Sequence, residues 1–153
     1  MMGDISHAVD PLLFEVLLFH SALRQYQTHF EKKGQHTLTE NYSVLKPEVT
    51  ELCGHRVGSF RTEFFDALLE NQRLFIAGQA SSHCVKATLE DLIGRIELTD
   101  AELFKKITLL TDCMSPVQPV PGSPDFPAIA HEFMYNRCAG LGMTVCKSTE
   151  VVL

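Results

Sequence analysis

The sequence has no Cys-x-x-Cys pair, although it holds five cysteines: Cys53, Cys84, Cys113, Cys138 and Cys146. An odd set with that spacing argues against a disulfide framework and against a zinc ribbon, so free thiols are expected. Seven histidines are scattered without a His-x-x-x-His or Asp-x-His pair. With no two ligands at usable spacing, no metal site is expected within the chain. Lysine and arginine form no cluster, the formal charge is −6 and the pI about 5.6. Nucleic acid and anionic membrane are therefore poor partners. The longest apolar run, Leu12 to Phe19, is interrupted by Glu15 and is far too short to span a bilayer. The first residues show no basic segment leading into an apolar core and a small-residue cleavage site. A cytoplasmic location is the expectation. Internal repeats and low-complexity tracts are also missing.

What is present suits one domain, 1–153, with a real core: 153 residues and 45% hydrophobic content. The informative stretch runs from Leu74 to Leu92. Leu74, Phe75, Ile76 and Ala77 make an apolar run of strand length, Gly78 breaks it, and Val85, Leu89, Leu92 and Ile93 recur at helical spacing. Cys84 stands where period 2 gives way to period 3.6. A cysteine in the first turn of a helix meets unpaired N–H groups and the positive end of the helix dipole. Both suit a sulfur that carries negative charge, the form that acts as a nucleophile. The bland alternative is a packed thiol, since free cysteine is among the most buried residue types. A phosphate-binding loop is excluded: the second glycine is absent, and Lys86 lies a full turn into the helix.

Along the chain, Asp10 before Pro11 signals a helix start, with Leu13, Val16, Leu17, His20 and Leu23 on one face and an end near Gln27. Thr28 to Lys33 reads as a short strand closed by Gly34. Gln35 to Leu52 reads as a long loop, a kind of segment that is commonly functional. Arg61 to Asn71 forms a second helix. Thr99-Asp100-Ala101-Glu102 has the form of a capping box. Ile107 to Leu110 is a strand, and Asp112 to Pro127, with five prolines, is a surface loop. Phe126 to Cys138 is a last helix with Ile129, Phe133 and Met134 inward, ended by Gly140 or Gly142. Met143 to Cys146 is the final strand. Alternating strands and helices predict a parallel α/β sheet with right-handed crossovers. Ligands then bind beyond the strands' carboxyl ends, where Gly34, Gly78 and Asp112 fall, so Lys33 and Cys84 are expected to open onto one cleft.

These residues resemble a known family, the isochorismatase-like cysteine hydrolases, and within it the nicotinamidase-type amidohydrolases. Ala77-Gly78-Gln79-Ala80-Ser81-Ser82-His83-Cys84-Val85-Lys86-Ala87-Thr88 looks like the family's strand, turn and nucleophile helix. Lys33-Gly34 with Thr39-Glu40-Asn41-Tyr42-Ser43-Val44-Leu45 is similar to its catalytic lysine and Tyr-Ser segment, and Thr111 to Ser115 to its Asp loop. Gly3 to Val9 and His20 to Arg24 also match its longer members. The resemblance implies an α/β three-layer sandwich with a parallel sheet, lacking the family's amino-terminal strands. It implies that Cys84 attacks a small carboxamide such as nicotinamide and forms a thioester, with Lys33 holding the thiolate. It further implies a cis peptide between Gln79 and Ala80, an oxyanion hole from the N–H groups of Ala80 and Cys84, and substrate contacts from Tyr42 and Ser43.

The family's catalytic aspartate and its metal ligands lie upstream of Met1 on this alignment. The chain then looks like the carboxyl-terminal part of a longer enzyme, inactive alone and holding no cofactor of its own. Asp112 is the one carboxylate placed to substitute, though a turn-stabilising role suits it better. The expected partner is a small-molecule amide, with a homo-oligomer left open. A noncatalytic remnant that pairs through an exposed sheet edge is the alternative, and a thiol redox sensor at Cys84, which needs a resolving cysteine close by, is a third.

Overall fold

A computed structural model describes residues 9–34 and 37–152. Gly3 to Ala8 of the resemblance and Gln35 and His36 of the expected loop lie outside the described residues. No helix among the described residues is long and apolar enough to cross a membrane. The chain divides into two compact units, Met1–Lys32 and Lys33–Leu153.

The first unit is built on one helix, α1 (Pro11–Arg24). Asp10 caps it, accepting from the N–H groups of Leu12 at 3.0 Å and Leu13 at 3.3 Å, and Pro11 fills the first position, where no N–H is needed. The helix stops at Arg24 rather than near Gln27, because Gln25 turns left-handed at φ 50°. None of its residues is buried. The apolar face expected to pack therefore stays open, with Leu13, Val16 and Leu23 exposed. Thr28 to Lys33 is not the short strand expected, since no neighbouring strand pairs with its backbone. Thr28 Oγ1 instead bonds Ser21 Oγ at 2.7 Å.

The second unit opens with a two-stranded hairpin, β1 (Glu51–Leu52) and β2 (His55–Arg56), inside and just beyond the expected loop. Cys53 and Gly54 make its turn, both at positive φ, 50° and 77°, the geometry whose twist matches paired antiparallel strands. Helix α2 (Thr62–Leu69), strand β3 (Leu74–Ile76), helix α3 (Cys84–Ile96), a 3₁₀ segment (Ala101–Lys106) and strand β4 (Ile107–Leu110) follow. Asp100, not Thr99, caps the 3₁₀ segment. Its carboxylate accepts from Glu102 N at 3.0 Å, while the Thr99 hydroxyl closes α3 by donating to the Arg95 and Ile96 carbonyls. Helix α4 (Phe126–Glu132) continues as a π-helical stretch (Phe133–Cys138) before strand β5 (Thr144–Cys146).

Strands β3, β4 and β5 form a parallel sheet in that order, an α/β arrangement. The register aligns Ile76, Leu109 and Val145 on one face and Phe75, Thr108 and Thr144 on the other. The first face belongs to the core, where Leu89, Leu92, Ile93 and Ile96 of α3 and Phe104, Ile107 and Leu109 are all within 1% of full burial. Burying each such side chain contributes about 1.5–3 kcal/mol. Along β3 the second face is open, with Phe75 exposed. The inner stripe of α4 is Ala130, Phe133, Met134 and Cys138. Ile129, expected inward, is 38% exposed because Ala130 takes the place that points at the sheet. Gly142 at φ 99° ends this element, and Met143 precedes the strand as a buried residue.

Candidate functional site

The turn between β3 and α3 is tied down by main-chain bonds. Gly78 is required there: a Cβ at this position would lie 2.8 Å from Val85 Cγ2, so only glycine lets the strand end pass the first turn of α3. Gly78 N–H donates to Cys113 O at 3.2 Å, Ser115 N–H to Gln79 O at 3.0 Å, and Ser81 N–H to Ser115 O at 3.0 Å. Parallel pairing thus continues past β3 as an Ala80–Ser115 bridge. Ala80 O then accepts from the N–H groups of both His83 and Val85 at 3.1 Å, which folds the chain into the helix. No cis peptide bond occurs among the described residues, so the bond between Gln79 and Ala80 is trans, contrary to what the resemblance implies.

Cys84 is the first residue of α3 and is half-buried, a free thiol within reach of solvent. The N–H groups of Ala80 and Cys84 have no acceptor among the described residues. Two donors at a helix start, one of them on the cysteine itself, can receive negative charge developing on an oxygen.

Lys33 is exposed and lies on no strand; its amine donates to Tyr42 O at 3.0 Å. The Tyr42 ring lies 6.1 Å from the His83 ring. Ser43 is buried at 2% exposure, and its hydroxyl accepts from Leu45 N–H at 3.0 Å. Val44 N–H donates to Thr88 Oγ1 at 3.2 Å, fastening this segment to α3. The structure thus brings Lys33 to Tyr42, and Tyr42 to the residue before Cys84. No bond joins the Lys33 amine to Cys84 among the described residues.

Asp112 sits in the 3₁₀ turn after β4 (Thr111–Cys113). Its oxygens accept from Ser148 N–H and Ser148 Oγ–H, each at 2.7 Å. These bonds hold its carboxyl below the usual carboxylate range. Both oxygens are engaged in fastening the segment after β5.

His83 reads in the sequence as a helix-start surface residue rather than a ligand, and the structure leaves it half-buried. Its ring centroid lies 6.1 Å from that of Tyr42 and 4.8 Å from that of Phe126, and Ser82 Oγ stands 2.9 Å from His83 Nδ1.

No family model matches this chain, and it matches no curated protein and no solved structure. Among the described residues no group of three His, Cys, Asp or Glu side chains stands together as metal ligands. Elsewhere, a groove of about 520 Å³ runs between α3 and the α4 element, lined by Lys86, Glu90, Phe133 and Arg137 among others. Its Lys86 is already held by Glu90 at 2.5 Å and stands over the Phe133 ring, and the groove does not include Cys84.

Proposed function

We propose that this chain carries the nucleophile half of an isochorismatase-like, nicotinamidase-type cysteine hydrolase acting on a small carboxamide. The observation that carries the reading is Cys84, half-buried at the first position of a 13-residue helix, with the Ala80 and Cys84 N–H groups both lacking acceptors among the described residues. In this mechanism the Cys84 sulfur adds to the carboxamide carbon and the carbonyl oxygen takes up charge against those two donors. Removing one such donor from a working site costs about 3 kcal/mol of transition-state stabilisation. The C–N bond then breaks, ammonia leaves with the proton it has gained, and water hydrolyses the thioester to the acid. Lys33 supports the site through the Tyr42 main chain. The proton acceptor is a carboxylate that the family resemblance places on an upstream strand beside β3, completing a three-layer sandwich. Asp112 does not fill that role, because both its oxygens are committed to Ser148.

Ammonia release from nicotinamide tests the reading. The chain alone is expected to release none, a version extended by the upstream strand to turn over, and Cys84→Ala in the extended version to abolish turnover. Turnover by the extended Cys84→Ala variant would sink the proposal.

A second reading is favoured by one observation. Phe75 on β3 and Ala77 and Gln79 just beyond it are exposed, and among the described residues β3 is an edge strand of the sheet. An unpaired apolar edge invites a partner strand, as in a noncatalytic interaction module. A chain that elutes as a monomer at every concentration in size-exclusion chromatography counts against it.

A further inference from the structure

Helix α1 leaves large apolar side chains in water, and they are not equally open. Leu12, Val16, Phe19 and Leu23 are 74%, 62%, 66% and 67% exposed, against 43% for Phe14. Successive side chains turn by about 100° around a helix, so these four line up on one stripe. Leu17 and Ser21 lie on the opposite side and are half-buried, with Ser21 Oγ bonded to Thr28 Oγ1. The helix thus turns one side to its own unit and presents a straight apolar seam on the other.

The spacing of the seam is also that of paired helices, with Val16 and Leu23 at a positions and Leu12 and Phe19 at d. A β-branched residue at a beside leucine at d, as Val16 and Leu12 provide, favours two parallel strands. Glu15 then falls at g on one flank of the seam and His20 at e on the other. Neither side chain has a hydrogen bond or ion pair among the described residues. In a parallel pair in register, the g residue of one helix meets the e residue of the next heptad on the other, so Glu15 of each copy meets His20 of its mate. An imidazole N–H can donate to that carboxylate whether the ring is neutral or charged. An antiparallel pair instead sets Glu15 against Ala22 and His20 against Leu13, leaving both polar groups unmatched. A lipid surface fits less well. Helices that lie on membranes carry lysine and arginine on the side away from the lipid, whereas α1 has Arg24 alone and its far side is Phe14, Leu17 and Ser21.

We propose that the seam of Leu12, Val16, Phe19 and Leu23 is a self-association surface, on which the α1 helices of two copies of this chain pair in parallel and in register. A 14-residue helix supplies only two heptads, so the pair forms and parts with concentration. The surface does not involve Cys84 and holds under either reading of that residue.

Sedimentation equilibrium of the full chain over a range of concentrations tests the proposal, with amide spectra confirming that each variant is folded. The wild-type chain is expected to pass from monomer to dimer as concentration rises. Val16→Glu places an unpaired charge in the seam and is expected to weaken the dimer about a hundredfold or more. Leu18→Glu makes the same kind of change at a residue 55% exposed but off the seam, and is expected to leave the dimer as it was. His20→Glu sets like charges opposite each other on both flanks and is expected to weaken the dimer about fivefold, and adding Glu15→Lys to it should restore the pairing. A chain that stays monomeric at every concentration, a dimer that survives Val16→Glu, or a dimer weakened as much by Leu18→Glu overturns the seam. Flotation of the chain with phosphatidylcholine vesicles in place of self-association overturns it in favour of a lipid surface. A dimer broken by Val16→Glu and indifferent to His20→Glu overturns the parallel register.

Discussion

Asp112 illustrates what a single side chain can do when its role is structural. Its carboxylate receives two bonds from Ser148 at 2.7 Å, and these lower its pKa beneath the ordinary 3.8. A carboxyl that is a stronger acid in the folded chain than in the unfolded one binds fewer protons when folded. Its contribution to stability is therefore complete above pH 3.8 and is lost as pH falls through the lowered folded value. Asp112→Asn should melt below the wild type at pH 7, and the gap should close in acid below pH 3.8; thermal melts across that range check both. A gap that stays constant would mean the charge on Asp112 plays no part. Cys138 shows the opposite sign of shift: burial raises its thiol to about 11, so it stays protonated at neutral pH.

Helix α3 unites the core and the site. Its buried stripe of Val85, Leu89, Leu92, Ile93 and Ile96 fixes the orientation that leaves Cys84 half-buried at the helix start. Gly94 is the weak position in it, an exposed glycine inside a helix, and a Cβ built there meets nothing within 4 Å. Gly94→Ala should stabilise the chain by about 0.5–1 kcal/mol, since alanine loses less backbone entropy and meets no clash. Chemical denaturation measures this directly, and a destabilised variant would show that the helix is strained at Gly94. Such elements were legible in the sequence wherever one period dominates. The bounds of β4 and the cap of α1 read directly, because Ile107 to Leu110 is uniformly apolar and Asp10-Pro11 signals its own geometry. The trans bond before Ala80 and the ring cluster at His83 were not legible. Each depends on contacts between segments far apart in sequence, Gln79 with Ser115 and Ser82 with Val117. The Cys53-Gly54 turn was missed because neither flanking strand exceeds two residues, too short for any alternation to register.

At the scale of the whole chain, cohesion is unevenly distributed, and the sequence could not show this because hydrophobic periodicity marks a face without saying what covers it. Strand β4 is paired on both sides and its Ile107, Thr108 and Leu109 are buried. Among the described residues strands β3 and β5 each have one partner, and Phe75 and Thr144 are exposed on them. Helix α1 is rich in apolar residues, yet it holds no buried residue. Amides open with free energies set by the burial and pairing that must be lost, from nearly nothing at unsupported segments to the full stability of the fold in the core. A 14-residue helix with no buried residue is marginal in water, so its amides should exchange within the shortest labelling times. Native-state hydrogen exchange is thus expected to rank β4 slowest, β3 and β5 intermediate, and α1 fastest, with Thr108 and Leu109 exchanging only through global unfolding. Protection of α1 equal to that of β4 at high protein concentration, falling away on dilution, would mean that a second molecule covers the helix. Equal protection independent of concentration would mean that α1 is held within its own chain and that the ranking by burial is wrong.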